Sequence, residues 1–246
     1  MVGAAVLLVL ACGAGGWALL SRGGSDASTA RSAAVPRAAV SPRLRLFHRG
    51  QPIVWLRRGE RIALRAAPRG TLVKRLRWKT RFGSRTVLAA FARRGRWAGV
   101  PTPLLPDGEL GWVKLDPSRL QAGWTRYSIE VDLSSKAARL RLGGRVLRSF
   151  PVTVGSPASP TPTGRFAITD MFRGHLDPAY GCCALATTAT QPSLPSGWFG
   201  GNRIAIHGTT GPLGVAVSHG CVRAADPDVS ALVRRIGLGT PVVIRQ

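Results

Sequence analysis

Acidic residues are scarce in this chain of 246 residues, since 11 Asp and Glu stand against 35 Lys and Arg, a formal net charge of +24. The imbalance is uneven along the chain. Residues 37–114 hold nineteen basic and three acidic residues, a net charge of +16, whereas residues 151–246 carry only +3. A strong positive field favours polyanionic partners. The alternative is that part of this basic surface is ordinary solvated surface.

The chain also lacks the motifs of the common nucleic-acid-binding modules. It contains no helix-turn-helix spacing, no zinc-finger spacing and no ribonucleoprotein aromatic motif. We therefore predict no nucleic-acid partner. The basic middle segment is instead expected to face anionic polymers or lipids of a cell envelope.

Cysteine is rare, and the four that occur do not form the spacing of a disulfide framework. Cys12 lies in an apolar stretch. Cys182 and Cys183 are adjacent, and the sequence leaves open whether they are reduced, bonded to each other or bonded elsewhere. Cys221 lies in a segment rich in histidine and glycine, so we expect it to be free and reactive.

Charge is absent from residues 2–20, which are apolar and nearly long enough to span a bilayer. Residues 1–21 therefore predict a signal peptide or membrane anchor, and the Ser-, Ala-, Gly-, Arg- and Pro-rich residues 22–42 predict a flexible linker. We expect an extracytoplasmic protein of the cell envelope, membrane-anchored or secreted. The sequence leaves open whether the segment is cleaved.

Residues 43–120 are predicted to form a small β-barrel. Short segments of alternating apolar residues, such as 61–65 and 111–115, are separated by Gly- and Pro-rich turns. Residues 95–103 and 108–113 resemble segments of bacterial Src-homology-3-like domains. Such domains bind wall peptides or position a neighbouring domain.

The densest cluster of reactive side chains lies near the C-terminus. Two short segments there combine histidine, glycine, cysteine and arginine: His207-Gly208 and Ser218-His219-Gly220-Cys221-Val222-Arg223. A thiol becomes a nucleophile when a neighbouring base takes its proton. Two other interpretations are a buried cysteine with structural histidines, and a metal site of Cys221, His219 and His207. No fourth ligand follows at a metal-like spacing, so we predict no metal.

These two segments resemble the signature of the L,D-transpeptidases, cysteine enzymes that cross-link bacterial peptidoglycan. The segment Thr161-Pro162-Thr163-Gly164-Arg165-Phe166 resembles the T-P-x-G-x-[Phe/Tyr] segment of the same family. The resemblance implies that residues 124–246 form a catalytic domain. The expected fold class is mainly β, with the small barrel followed by a β-rich sandwich that carries one C-terminal helix.

The resemblance also implies an acyl transfer that needs no cofactor. Cys221 would attack a peptidoglycan stem tetrapeptide and form a thioester, with His207 as general base and His219 as a lesser contributor. An amine of a neighbouring stem would then complete a 3→3 cross-link. The implied substrate-binding residues are Arg223, Ser218, Gly220 and Gly208. Water as acceptor would make the protein an L,D-carboxypeptidase, and a non-catalytic wall-binding scaffold is the remaining alternative.

Local patterns predict several elements of the catalytic domain. Alternation from Tyr127 to Val131 predicts a half-buried strand, and Gly143-Gly144 predicts a hairpin turn. Asp226 is expected to cap a helix that ends before Gly237.

The end of the chain and one internal segment complete these expectations. Residues 241–245 predict a final strand. Residues 170–201 are expected to be irregular and to shape a substrate cleft. Within them, His175 and Tyr180 are either substrate contacts or ordinary loop and packing residues.

Overall fold

The computed structural model describes residues 50–174, 176–196 and 201–246. The predicted signal or anchor at 1–21, the linker at 22–42 and His175 lie outside the described residues. Among the described helices, none is long and apolar enough to cross a membrane. Residues 42–246 form one compact unit.

The first part of the described chain folds into short strands. They are β1 (Gln51–Leu56), β2 (Arg61–Arg65), β3 (Leu72–Arg77), β4 (Val87–Ala89), β5 (Ala92–Arg94), β6 (Trp97–Pro101), β7 (Leu110–Lys114) and β8 (Leu120–Thr125). Five strands form a sheet in the order β3-β2-β7-β6-β5, and three form a sheet in the order β4-β1-β8. In β2 the alternate residues Ile62 and Leu64 enter a core shared with Leu56, Val100 and Val113. The likeness of this part to Src-homology-3 domains stays a prediction.

The second part contains a larger sheet and one α-helix. Its elements are β9 (Tyr127–Asp132), β10 (Ala137–Leu142), β11 (Arg145–Pro151), β12 (Val154–Gly155), β13 (Gly164–Arg173), a 3-10 helix (Pro178–Tyr180), β14 (Cys183–Thr190), β15 (Arg203–Thr209), β16 (Ala216–Ser218), β17 (Val222–Ala225), α1 (Asp226–Arg235) and β18 (Pro241–Arg245). Eight strands form one sheet in the order β11-β10-β9-β18-β13-β14-β15-β17, and β12 pairs with β16. The apolar face of α1, including Val229 and Leu232, packs into the core of this sheet. The predicted mainly β fold class is confirmed.

Several local predictions match the structure. Ile129 and Val131 in β9 are fully buried, as their alternation requires. The Gly143-Gly144 turn joins β10 to β11, and Gly143 has a φ of 61°, a conformation that glycine adopts without strain. The predicted final strand coincides with β18.

The boundary expected at residue 124 lies inside β8. That strand pairs with β1 along its whole length and so belongs to the first part of the chain. The first strand of the larger sheet begins at Tyr127.

The helix predictions at both ends of α1 are wrong in detail. Ala225 is the N-cap residue and Asp226 is the first helical residue. The Asp226 carboxylate accepts a 3.1 Å hydrogen bond from the backbone N–H of Cys182, so a tertiary partner replaces the expected cap. At the other end Ile236 is the extended C-cap residue, so the helix stops without a left-handed glycine at Gly237.

The expectation that residues 170–201 are irregular is also wrong for part of that segment. Strand β13 continues to Arg173, and residues 183–190 form β14 in the interior of the sheet. Seven of the eight residues in β14 are buried. A strand that is covered on both faces has no polar alternation to reveal it.

Side chains of the first part reach directly into the second. The Asp107 carboxylate accepts hydrogen bonds from the backbone N–H and the hydroxyl of Thr190, at 3.1 and 3.2 Å. The hydroxyl of Thr80 donates to the buried carboxylate of Asp170. These contacts hold the loop before β7 and the turn after β3 against the larger sheet.

Candidate active site

The candidate active site is built on the parallel pair β15 and β17. In their register His207 lies opposite Arg223. Paired residues point to the same face of a sheet, and residues two apart on one strand do so as well. Cys221, two residues before Arg223, therefore shares this face with both side chains. All three line one cavity of 280 Å³.

The thiol of Cys221 is the free cysteine of the described residues. Burial raises the pKa of the Cys221 thiol, and the Ala205 backbone N–H and the positive charge of Arg223 act in the opposite direction. The Ala205 N–H donates to Sγ at 3.4 Å. Because burial outweighs these two influences, the resting group is a thiol, and a base must take its proton during attack.

His207 is positioned to be that base. Its side chain is only 3% exposed, and Nδ1 lies 2.8 Å from the carbonyl oxygen of Gly208. A carbonyl oxygen can only accept, so Nδ1 carries the proton and Nε2 presents its lone pair. Burial lowers the pKa of His207, and the charge of Arg223 lowers it further. The imidazole is therefore neutral at neutral pH.

Gly208 contributes through its backbone. A Cβ atom at this position would lie 2.0 Å from Oδ1 of Asp226 and 3.0 Å from the backbone nitrogen of Cys182, so no side chain fits. Its carbonyl oxygen sets the tautomer of His207. Gly208 does not line the cavity of Cys221, so its geometry supports the base rather than a substrate contact.

Ser218 and Gly220 shape the turn that carries the thiol. The buried Ser218 hydroxyl donates to the Cys221 carbonyl oxygen at 2.6 Å and accepts from the Gly220 N–H at 3.2 Å. Gly220 has a φ of 101°, and a Cβ atom there would lie 2.7 Å from Nε2 of Gln191. The structure thus commits Ser218 to the turn rather than to a histidine or the cavity. The Gly220 N–H is committed to the same turn.

His219 and Arg223 complete the wall of the cavity. The side chain of His219 is exposed at its edge. Nε of Arg223 is buried and has no hydrogen-bond partner among the described residues. A buried guanidinium nitrogen without an acceptor is costly, and a carboxylate in the cavity would relieve that cost.

Thr161 is a supporting residue whose role the sequence did not reveal. Its hydroxyl donates to the Gly220 carbonyl oxygen and accepts from the Gly155 N–H, both at 2.8 Å. The Thr-Pro-Thr-Gly segment was recognisable in the sequence, but a contact between positions 59 residues apart was not.

Tyr180 lies on the opposite side of the same cavity. Its ring meets the ring of His207 edge-on, with centroids 4.9 Å apart. Burial raises the pKa of Tyr180, and a negative charge on Cys221 raises it further. The phenol is therefore a neutral hydrogen-bond donor beside the thiol. Of the two loop candidates, the structure describes only Tyr180 and brings it to the site.

The question left open for the adjacent cysteines is answered by the structure, in which Cys182 and Cys183 are bonded to each other. Their backbone lies directly behind the base, because the Cys182 N–H shares the Asp226 carboxylate that lies against Gly208. Across the described residues, no group of three or more His, Cys, Asp and Glu side chains is placed to hold a metal ion.

Sequence comparisons place this site in a known family. Residues 126–244 match the family model of YkuD, the L,D-transpeptidase catalytic domain. The YkuD protein of Bacillus subtilis (strain 168) is 35% identical over 122 residues, which cover 49% of this chain and 66% of that protein. The YkuD protein of Bacillus licheniformis is 32% identical over 127 residues, which cover 48% of this chain and 65% of that protein. The chain thus spans slightly less than two thirds of the length of these relatives.

Structural comparison finds an L,D-transpeptidase of Mycobacterium tuberculosis H37Rv. It is 15% identical, with a TM-score of 0.40, and the match covers 57% of this chain and 73% of that chain. The family assignment therefore rests on the sequence matches, whose range contains His207, Cys221 and Arg223. Residues 126–244 belong to the L,D-transpeptidase catalytic-domain family.

Proposed function

We propose that this protein is a cysteine acyltransferase, an L,D-transpeptidase that forms 3→3 cross-links between peptidoglycan stem peptides. The observation that carries the proposal is the register of β15 and β17. It gives one cavity a thiol at Cys221, a neutral imidazole at His207 and a guanidinium at Arg223 with an unpartnered nitrogen. A nucleophile, a base and a carboxylate receptor are the three groups that acyl transfer from an acidic peptide requires.

Acylation begins when Nε2 of His207 takes the thiol proton of Cys221. The sulfur attacks the carbonyl carbon of the third residue of a stem tetrapeptide, and a tetrahedral oxyanion forms. The carbon–nitrogen bond to the terminal D-alanine then breaks, and its amine leaves with the proton held by His207. The product is a thioester on Cys221.

Stabilisation of the oxyanion is assigned to backbone N–H groups of the turn, each worth about 2.7–4 kcal/mol in a well-studied enzyme. The Gly220 N–H already donates to Ser218, which favours the N–H of Cys221 for this role. Arg223 pairs with a carboxylate of the stem through its forked guanidinium. His219, at the exposed edge of the cavity, contributes less to the chemistry than His207.

Deacylation uses the same groups in reverse. An amine of a neighbouring stem attacks the thioester, His207 takes a proton from that amine, and an amide forms as Cys221 leaves and regains a proton. Water in place of the amine would give a tripeptide, the product of an L,D-carboxypeptidase. A substrate of this kind lies outside the cytoplasm, in agreement with the predicted signal or anchor.

The test uses residues 42–246, which form one compact unit. They are incubated with a purified stem tetrapeptide, and the protein and the products are analysed by mass spectrometry. We expect an acyl adduct on the wild type, none on Cys221→Ala, and cross-linked dimers of stem peptides. A tripeptide without dimers would make the enzyme a carboxypeptidase, and the absence of any adduct would favour the scaffold alternative.

A further inference from the structure

A second cavity, larger than that of Cys221, lies between the two parts of the chain. Its volume is 440 Å³, within the range of about 300–1,000 Å³ that is usual for small-molecule sites. The small barrel contributes an apolar wall that includes Leu64, Leu76 and Val100, of which Leu64 and Val100 are fully buried. The larger sheet contributes Thr169 and Arg203 on the other side. The interior is thus suited to a ligand with an apolar body.

The mouth of this cavity is cationic. Five exposed basic side chains line it, all from β3 and the turn that follows: Lys74, Arg75, Arg77, Lys79 and Arg81. In the described part of the chain, none of these five forms an ion pair. The carboxylate among the lining residues, Asp170, is only 1% exposed and is engaged by the hydroxyl of Thr80. The mouth therefore presents a net positive charge to a ligand.

Large apolar side chains stand exposed beside these charges. Phe82 is 42% exposed and Leu104 is 40% exposed, and both line the cavity. Phe82 packs edge-on against Phe172 at 5.5 Å, and Arg81 lies 4.5 Å from its ring centroid. Covering such apolar surface stabilises a complex by about 25 cal/mol per Å².

We propose that this cavity binds an anionic membrane lipid, with one acyl chain in the apolar interior and the phosphate headgroup at the basic mouth. A free phosphate or a nucleic acid would leave the apolar wall exposed to water. A neutral apolar molecule would leave five neighbouring cations uncompensated. A phosphate with an acyl chain satisfies both features. The site is separate from the thiol, so it stands or falls independently of the transfer reaction.

The test measures binding of dodecyl phosphate to residues 42–246 by isothermal titration calorimetry, below the micelle concentration of the probe. Comparison ligands are dodecyl maltoside, which has the chain without the charge, and inorganic phosphate, which has the charge without the chain. We expect saturable binding of one dodecyl phosphate that weakens as salt rises past about 0.1 M. The two comparison ligands should bind at least about tenfold more weakly.

Variants locate the site on the surface. Lys79→Glu combined with Arg81→Glu should weaken binding of dodecyl phosphate at least about tenfold, because each basic residue near a lipid headgroup contributes about 1 kcal/mol. Arg93→Glu combined with Arg96→Glu makes the same change of charge at exposed residues of the barrel outside the cavity, and should leave the affinity unchanged. Phe82→Ala should weaken dodecyl phosphate without affecting the weak binding of inorganic phosphate.

Three results would overturn the proposal. Equal weakening by the two charge-reversed pairs would show attraction to the overall charge rather than a site. Inorganic phosphate binding as tightly as dodecyl phosphate would show a site for the free anion. Undetectable binding of dodecyl phosphate would remove the lipid site altogether, whether or not Cys221 forms an acyl adduct.

Discussion

The hydroxyl of Thr161 donates a 2.8 Å hydrogen bond to the carbonyl oxygen of Gly220, the residue directly before the nucleophile. The same hydroxyl accepts from the Gly155 N–H, so one side chain ties β12 to the turn that carries Cys221. Both hydrogen bonds are buried. The position of the thiol therefore depends on a contact made by a residue that does not touch the substrate cavity.

We predict that Thr161→Val lowers both stability and the rate of acylation. The substitution keeps the shape of the side chain but leaves the Gly155 N–H and the Gly220 carbonyl without their partner, at a cost of about 1–3 kcal/mol for each buried group. Urea denaturation and the rate of thioester formation measure the two effects. Thr209→Val is the control, because the Thr209 hydroxyl accepts an exposed hydrogen bond from Gly211. Equal losses in both variants would contradict the role given to Thr161.

The two histidines should differ in their effect on the thiol. His207→Ala removes the buried imidazole whose Nε2 faces the site, so the apparent pKa for alkylation of Cys221 should rise and the rate at pH 7 should fall. His219→Ala alters an exposed residue at the edge of the cavity and should change both quantities less. The measurement is the rate of iodoacetamide alkylation against pH for the wild type and both variants. A larger effect from His219→Ala would exchange the two roles.

The pH dependence of acylation should report the lowered pKa of His207. Burial favours its neutral form, so the base remains competent below the ordinary histidine pKa of about 6.5. We expect kcat/KM with a stem tetrapeptide to hold its plateau down to about pH 6.5 and to fall only at lower pH. An acidic limb centred at pH 7 or above in the wild type would be incompatible with a buried, neutral His207.

The sequence predicted the parts of this protein that depend on neighbours along the chain. The alternation in β9, the Gly143-Gly144 turn and β18 were predictable because each is specified within a few residues. The motif around Cys221 identified the reactive group by its composition. Strand β14 was missed because it is buried on both faces, and local pattern cannot distinguish such a strand from an irregular segment.

Partners that come from distant parts of the chain account for the remaining differences. Asp226 has the residue type of a helix cap but is recruited by the Cys182 N–H, 44 positions away. Ser218 was a candidate to orient a histidine, yet its hydroxyl bonds the turn of Cys221 instead. In each case the side chain has two possible hydrogen-bond partners, and only the assembled tertiary structure selects one of them.

Asp107 should matter through the hydrogen bonds that it accepts from Thr190, the residue before the cavity-lining Gln191. Asp107→Ala leaves the Thr190 N–H without its partner, so we expect a loss of about 1 kcal/mol in the free energy of unfolding. Asp107→Asn keeps an accepting oxygen and is the matched control. Burial raises the pKa of Asp107, so folding favours its protonated form, and the stability it contributes is lost as pH rises through the folded pKa. The wild type should therefore lose stability relative to Asp107→Asn between pH 3 and pH 7 in urea denaturation. If Asp107→Ala and Asp107→Asn unfold alike at both pH values, the contact with Thr190 does not hold the two parts of the chain together.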